Sequence, residues 1–135
     1  MSSFNVIKTC MTEQDVLKKS LEDLGYNPTS SDTKQKVRGH YNETRQAEIV
    51  VSKEELKDGG DIGFSKDKEG NFEVVMDTYV MRSEKTKKLM ADIKMKYTTN
   101  MTLRAAKLNG WTTLNKGTEV VRDGKRFTRL QFAVA

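Results

Sequence analysis

The strongest constraint on the fold is the way short strand-like segments precede, separate and follow two segments whose apolar residues recur at helical spacing. The first helical segment starts at Thr12, a predicted N-cap, and ends before Gly25. The second extends over residues 83–109, where the weak helix formers at 98–100 leave open one long helix or two helices with a kink. The chain therefore alternates between the helical and the strand period.

The strand-like segments are separated by residues that favour tight turns. These segments are residues 4–10, 36–38, 47–51, 62–65, 72–76, 111–114 and 127–134. Gly70-Asn71 and Asp123-Gly124 predict hairpins, and residues 27–32 are expected to form a polar loop. We expect an α+β fold of order β-α-β-β-β-β-α-β-β, in which a mainly antiparallel sheet carries two helical segments packed on one face.

Size and composition fit one soluble domain. The 135 residues contain one proline and no Ser/Gly/Pro-rich linker, which predicts a single domain over residues 1–135. No apolar run approaches the roughly 20 residues of a membrane span. Since the N-terminus also lacks the pattern of a signal peptide, we expect a cytoplasmic protein. The alternation around Cys10 predicts a buried thiol, and a single cysteine can form no internal disulfide.

Charge is distributed unevenly along the chain. Residues 1–81 hold 11 Lys/Arg against 15 Asp/Glu, a net charge of −4, whereas residues 82–135 hold 13 against 4, a net charge of +9. A basic region of this kind attracts phosphates or acidic protein surfaces over a Debye length of roughly 10 Å. The asymmetry therefore bears on the partner and not on the fold.

The basic residues of the C-terminal part are the candidate partner-binding residues. They are Lys85, Lys87, Lys88, Lys94, Lys96, Arg104, Lys107, Arg122, Lys125, Arg126 and Arg129. We expect them to bind a protein with an acidic surface. The alternative is nucleic acid, whose phosphates would pair with the same cations while Phe127 stacks on a base. A third interpretation is a solvated helix face next to a charged strand edge that prevents aggregation.

An ordered series of short stretches resembles one known family. The matching residues are Phe4, Ile7-Lys8-Thr9, Leu17, Leu21, Asp23-Leu24-Gly25, Val37-Arg38-Gly39, Ala47 to Val51, Asp61-Ile62-Gly63-Phe64, and Phe72 to Asp77. Together they resemble the hypothetical chloroplast reading frame thirty-five family, small proteins of algal plastids, cyanobacteria and the viruses that infect cyanobacteria. The resemblance covers residues 1–80 well, and beyond them mainly Lys96-Tyr97 and the junction at Gly110 match.

The resemblance implies a lineage and a compartment rather than a reaction. It marks Arg38, Asp61, Gly63, Phe64 and Asp77 as family-motif positions and transfers no catalytic residue. The chain departs from the family where His40-Tyr41-Asn42 replace an aromatic-glycine turn. A composition leaning to lysine and asparagine favours a cyanophage source, with the plastid stroma or the host cytoplasm as the implied compartment.

The sequence offers no recognisable catalytic or metal-binding constellation, so we expect neither enzyme activity, nor a metal, nor a cofactor. A single histidine, His40, excludes paired-histidine metal sites, and no phosphate loop is present. The acidic residues at positions 58, 61, 67 and 69 do not follow a calcium-binding spacing and are expected to be solvated loop residues. An enzyme would need the fold to bring together residues such as Arg38, His40, Glu48 and Asp77.

Overall fold

In a computed structural model, which describes residues 4–39 and 43–134 apart from the side chain of Lys116, the chain forms seven strands and four helices. The elements are β1 (Phe4–Lys8), α1 (Gln14–Asp23), β2 (Thr29–Arg38), β3 (Thr44–Val51), α2 (Lys53–Leu56), β4 (Ile62–Lys66), β5 (Phe72–Asp77), α3 (Thr78–Arg82), α4 (Glu84–Leu108), β6 (Thr112–Arg122) and β7 (Lys125–Ala133). The predicted α+β class and the predicted order of the main elements are confirmed, and α2 and α3 are short additions to it.

Five strands form one antiparallel sheet in the order β1-β5-β4-β3-β2. Helices α1 and α4 cover one of its faces, because their apolar stripes and alternate residues of the strands bury each other. The centre of this core holds Leu17, Phe64, Phe72, Met76 and Ile93, each no more than 1% exposed. The sheet order also leaves β1 as an edge strand.

The other face of the sheet is closed by the end of the β2–β3 hairpin, which bends over it. Val37 and Ala47 are fully buried there. The bend brings Val37 so close to β4 that a Cβ atom at Gly63 would lie 2.4 Å from Val37 Cγ2 and 2.9 Å from the Ala47 Cβ. Only a residue without a side chain permits this approach.

Two local expectations were wrong in detail, and one open choice is settled. Helix α1 begins at Gln14 and not at Thr12, because the backbone N–H groups of Thr12 and Glu13 both donate to the Tyr97 hydroxyl at 3.1 Å. Residues 29–32 belong to β2 rather than to a loop, since a register shift between Ser30 and Gln35 extends the pairing with β3. The open choice for the second helical segment is settled as one continuous helix, α4.

The last two strands form a separate two-stranded hairpin that packs mainly on α4. Its predicted turn is confirmed: Asp123 and Gly124 have φ values of 53° and 73°, the left-handed pair that a tight hairpin turn requires. At its base the rings of Trp111 and Phe132 lie 6.1 Å apart. Within residues 4–39 and 43–134, no helix has both the length and the apolar character needed to cross a lipid bilayer.

Candidate functional site

Two of the family-motif positions, Arg38 and Asp61, form an ion pair at the end of β2 in which the carboxylate is buried and the guanidinium is partly exposed. The Asp61 carboxylate is 2% exposed and accepts from the backbone N–H of Arg38 (2.7 Å), from Arg38 Nε and Nη2 (2.9 Å each) and from the backbone N–H of Lys53 (2.8 Å). The remaining face of the guanidinium binds the exposed Glu54 at 3.0 and 2.7 Å. These hydrogen bonds to Asp61 and Glu54 raise the pKa of Arg38 above its usual value.

The other three motif positions are also used by the fold. Gly63 makes room for Val37, and Phe64 is a fully buried core residue. The Asp77 carboxylate accepts from the Tyr79 backbone N–H at 2.9 Å and so caps the start of α3. The motif positions therefore fasten the hairpin end and the short helices to the sheet.

The residues considered for an enzyme site are held by contacts of this structural kind. Arg38 binds Asp61 and Glu54, and the Glu48 carboxylate accepts from the Lys66 backbone N–H at 3.2 Å. His40 lies outside the described residues. Among the residues that are described, no three His, Cys, Asp or Glu side chains converge in a metal-binding group.

Two sequence expectations about individual side chains were wrong. Asp61 is 1% exposed rather than solvated, because the bent β2–β3 hairpin brings Arg38 over it. Cys10 is exposed rather than buried, because β1 ends at Lys8 and Cys10 lies in the connection to α1. The Cys10 expectation relied on alternation and the Asp61 expectation on a loop position, and neither signal indicates which part of the fold covers a residue.

Five of the candidate basic residues are bound to other groups of the chain. The pairs are Lys85 with the carbonyl of Lys57, Lys87 with Glu84, Lys88 with Asp92, Arg104 with Asp15, and Arg126 with both Asp92 and Glu119. A cation engaged in this way gains less from an external anion, because it must exchange one partner for another.

The basic residues of α4 do not share one side of the helix. Since successive helical residues turn by about 100°, Lys85, Lys96 and Lys107 lie on one side, and Lys87 and Lys94 lie on the opposite side. The helix therefore presents separate cations and no continuous basic stripe.

The hairpin brings together three of the candidate residues on one surface. Residues paired directly across a hairpin share a face with those two positions along each strand. The pairs Arg122–Lys125 and Val120–Phe127, with Arg129 in the next pair, therefore form one solvent-facing surface, which we call the outer face. Phe127 is 49% exposed. Within the described residues, none of the three cations has a carboxylate at ion-pair distance.

The opposite face of the hairpin is fixed to α4 by one charged cluster. Arg126 Nη1 lies 3.0 Å from Asp92 Oδ1, and its Nε donates to Glu119. Lys88 donates to the second oxygen of Asp92 at 2.8 Å. Partial burial acts to raise the pKa of Asp92, but the hydrogen bonds from Lys88 and Arg126 outweigh it and hold the pKa below its usual value.

Acidification is expected to weaken this attachment. Because the folded pKa of Asp92 is below the unfolded value of about 3.9, the stabilisation is complete above that value and is lost as the pH falls through the folded pKa. Asp92→Asn should cost about 1 kcal/mol at pH 7 and less near pH 3, below the unfolded pKa of about 3.9. Urea unfolding followed by Trp111 fluorescence measures the difference, and an equal cost at both pH values would contradict the assignment.

A family model matches residues 20–126 of the chain, under the description "Protein of unknown function (DUF1257)". The chain belongs to this family. The match contains all five motif positions, the whole of α4 and β6, and the start of β7. No curated protein and no solved structure matches the chain. The DUF1257 match therefore includes most of the basic C-terminal part as well as the motif positions.

The structure also contains an apolar groove of about 540 Å³ between β1 and α4. Apolar side chains form most of its lining: Ile7, Met11, Phe64, Val74, Met90 and Ile93. The exposed residues Cys10 and Lys94 border it. Sequence reasoning missed the groove. The apolar pair Val6-Ile7 was a signal for it, because adjacent strand residues point to opposite faces of a sheet and an edge strand exposes one of them.

Proposed function

We propose that this member of the DUF1257 family is a non-catalytic binding protein that docks on an acidic surface of a partner protein through the outer face of its C-terminal hairpin. We assign its setting to a photosynthetic cell, cyanobacterial or plastid, or to one infected by a cyanophage. That setting is supported by the resemblance of residues 1–80.

One observation carries the proposal. Arg122, Lys125 and Arg129 surround the half-buried Val120 and the exposed Phe127 on one face, and no carboxylate of the described chain lies at ion-pair distance from them. Interfaces combine this kind of aromatic anchor with arginine, and acidic groups opposite the cations fix the orientation. A two-stranded hairpin is also marginally stable alone, so a partner would stabilise it.

The placement of the other basic residues favours protein over nucleic acid. Binding of a nucleic acid strand depends on many phosphate contacts along a continuous basic track. Several lysines of α4 lie on different sides of the helix, and Lys88, Arg104 and Arg126 are already paired with carboxylates. The outer face is a compact group of three cations around an apolar centre, which fits an acidic, partly apolar protein surface.

Charge reversal on the outer face is expected to weaken binding of an acidic peptide by about tenfold or more, since loss of roughly 1.4 kcal/mol is tenfold in affinity. The variant is Arg122→Glu/Arg129→Glu. The probe is a fluorescent 16-residue peptide in which glutamate and aspartate alternate with leucine and valine, measured by fluorescence anisotropy at low and at physiological salt.

The control variant is Lys36→Glu/Lys68→Glu, which makes the same change in net charge at exposed lysines in the N-terminal part of the chain. It should bind the peptide like the wild type. Single-stranded DNA and RNA oligonucleotides of equal charge form the second arm. Tighter binding of an oligonucleotide than of the peptide would establish the nucleic-acid alternative, and equal losses in both variants would remove the outer face from the proposal.

A further inference from the structure

The free edge of β1 lies beside the apolar groove. Strand β1 pairs with β5 and ends the sheet, so alternate backbone N–H and C=O groups of residues 4–8 point away from the sheet. Its side chains Val6 and Ile7 are 52% and 37% exposed. Ile7 pairs with the core residue Val74 and therefore lies on the helix-covered face. Within the described part of the chain, the edge from Asn5 to Lys8 thus presents unpaired hydrogen-bonding groups and apolar side chains together.

The groove lies on that face, between β1 and α4. Phe64, Val74 and Ile93 lie beneath it but are no more than 1% exposed, so its accessible walls are formed mainly by Ile7, with Met11, on one side and Met90 on the other. Because the groove borders the edge strand, alternate side chains of a strand added to β1 would reach it.

The side chains that line and border the groove also determine which occupant it selects. Met11 and Met90 have flexible thioether side chains, which adapt to different apolar shapes. Lys94 is exposed at the border, and within the described residues it has no ion-pair partner. An occupant with a carboxylate at this point would gain a charge-assisted contact.

We propose that the free edge of β1 and its groove bind an extended peptide segment of another protein, which adds a sixth strand to the sheet. Alternate apolar side chains of the segment enter the groove between Ile7 and Met90, and an acidic residue of the segment meets Lys94. Main-chain hydrogen bonds to β1 supply affinity, and the groove supplies selectivity for apolar residues at every second position. This site is separate from the outer face of the hairpin and does not depend on it.

The test uses the full chain and a synthetic octapeptide in which valine alternates with threonine and the last two residues are aspartate. We expect chemical-shift changes on titration at Val6, Ile7, Met11 and Met90. Two further peptides carry N-methyl groups at every second residue, in the two alternative frames. Because a strand pairs along one edge through alternate residues, one frame should lose binding at least tenfold and the other should retain it.

Two variants locate the site. Lys94→Glu should weaken binding of the aspartate peptide about tenfold. It should not change binding of a peptide in which asparagine replaces both aspartates, and Lys36→Glu serves as the exposed-lysine control. Ile7→Lys should abolish binding. Should Ile7→Lys fail to fold, Lys94→Glu on the exposed side of α4 still decides the question. The variant Arg122→Glu/Arg129→Glu should bind the octapeptide like the wild type, which separates this site from the proposed function.

Several results would overturn the proposal. They are equal binding of both N-methylated peptides, binding of decanoate but not of the octapeptide, absence of octapeptide binding, and formation of a dimer that is abolished by Ile7→Lys. The last result would assign the edge to a second copy of the chain.

Discussion

Replacing Arg38 with alanine is expected to lower the free energy of unfolding by about 4 kcal/mol. The substitution removes the counter-charge of Asp61, whose carboxylate is 2% exposed, together with two of the four hydrogen bonds it accepts. The loss is large because the two hydrogen bonds that Asp61 keeps come from backbone N–H groups, which carry no compensating charge. Urea unfolding at pH 7, followed by circular dichroism, measures the change.

The matched control removes the other partner of the same guanidinium. Glu54 is 63% exposed on its side chain and binds Arg38 through two hydrogen bonds, so Glu54→Gln should cost far less stability than Arg38→Ala, because exposed ion pairs contribute little. Similar losses for the two variants would show that the buried Asp61 charge does not govern stability at this end of the sheet.

The second large effect is expected at Gly63, where alanine should destabilise the protein by about 3 kcal/mol through overpacking. The added Cβ would lie 2.4 Å from Val37 Cγ2 and 2.9 Å from the Ala47 Cβ, and both neighbours are fully buried. To remove these close contacts, the end of the β2–β3 hairpin would have to move away from the sheet. Thermal and urea unfolding of Gly63→Ala provide the measurement.

A double variant tests this cause. In Gly63→Ala/Val37→Ala the closest clashing atom is absent. The double variant should therefore lose much less stability than the sum of the two single losses. Strict additivity of the two losses would contradict the packing explanation. A loss at Gly63→Ala below about 0.5 kcal/mol would do the same, because such a value is typical of surface substitutions.

Local features of the fold could be predicted from the sequence because the residues that determine them are neighbours. Asp123-Gly124 accepts the left-handed turn that joins β6 and β7, and the 3.6-residue spacing of apolar side chains located α4. The same holds for the hairpin at Gly70, whose φ is 88°. These signals require no knowledge of the rest of the chain.

The features that could not be predicted depend on contacts between distant segments. The start of α1 is set by Tyr97, a residue of α4 that binds the backbone before the helix. The burial of Asp61 depends on the bend that brings Arg38 over it. For the candidate surfaces, the sequence located the basic residues but not their distribution, because internal ion pairs such as Arg126–Asp92 depend on how the hairpin docks.

The C-terminal hairpin can form by contacts between residues close in sequence. Its outermost pair is Thr112 with Ala133, whereas closing the main sheet requires Phe4 to meet Asp77. Hairpins form in about 1–10 μs, and units with few buried contacts open without unfolding of the whole protein. We therefore expect the outer face to form and open in a fast local equilibrium. A partner protein would bind the closed hairpin, and the lifetime of the five-stranded sheet would stay unchanged.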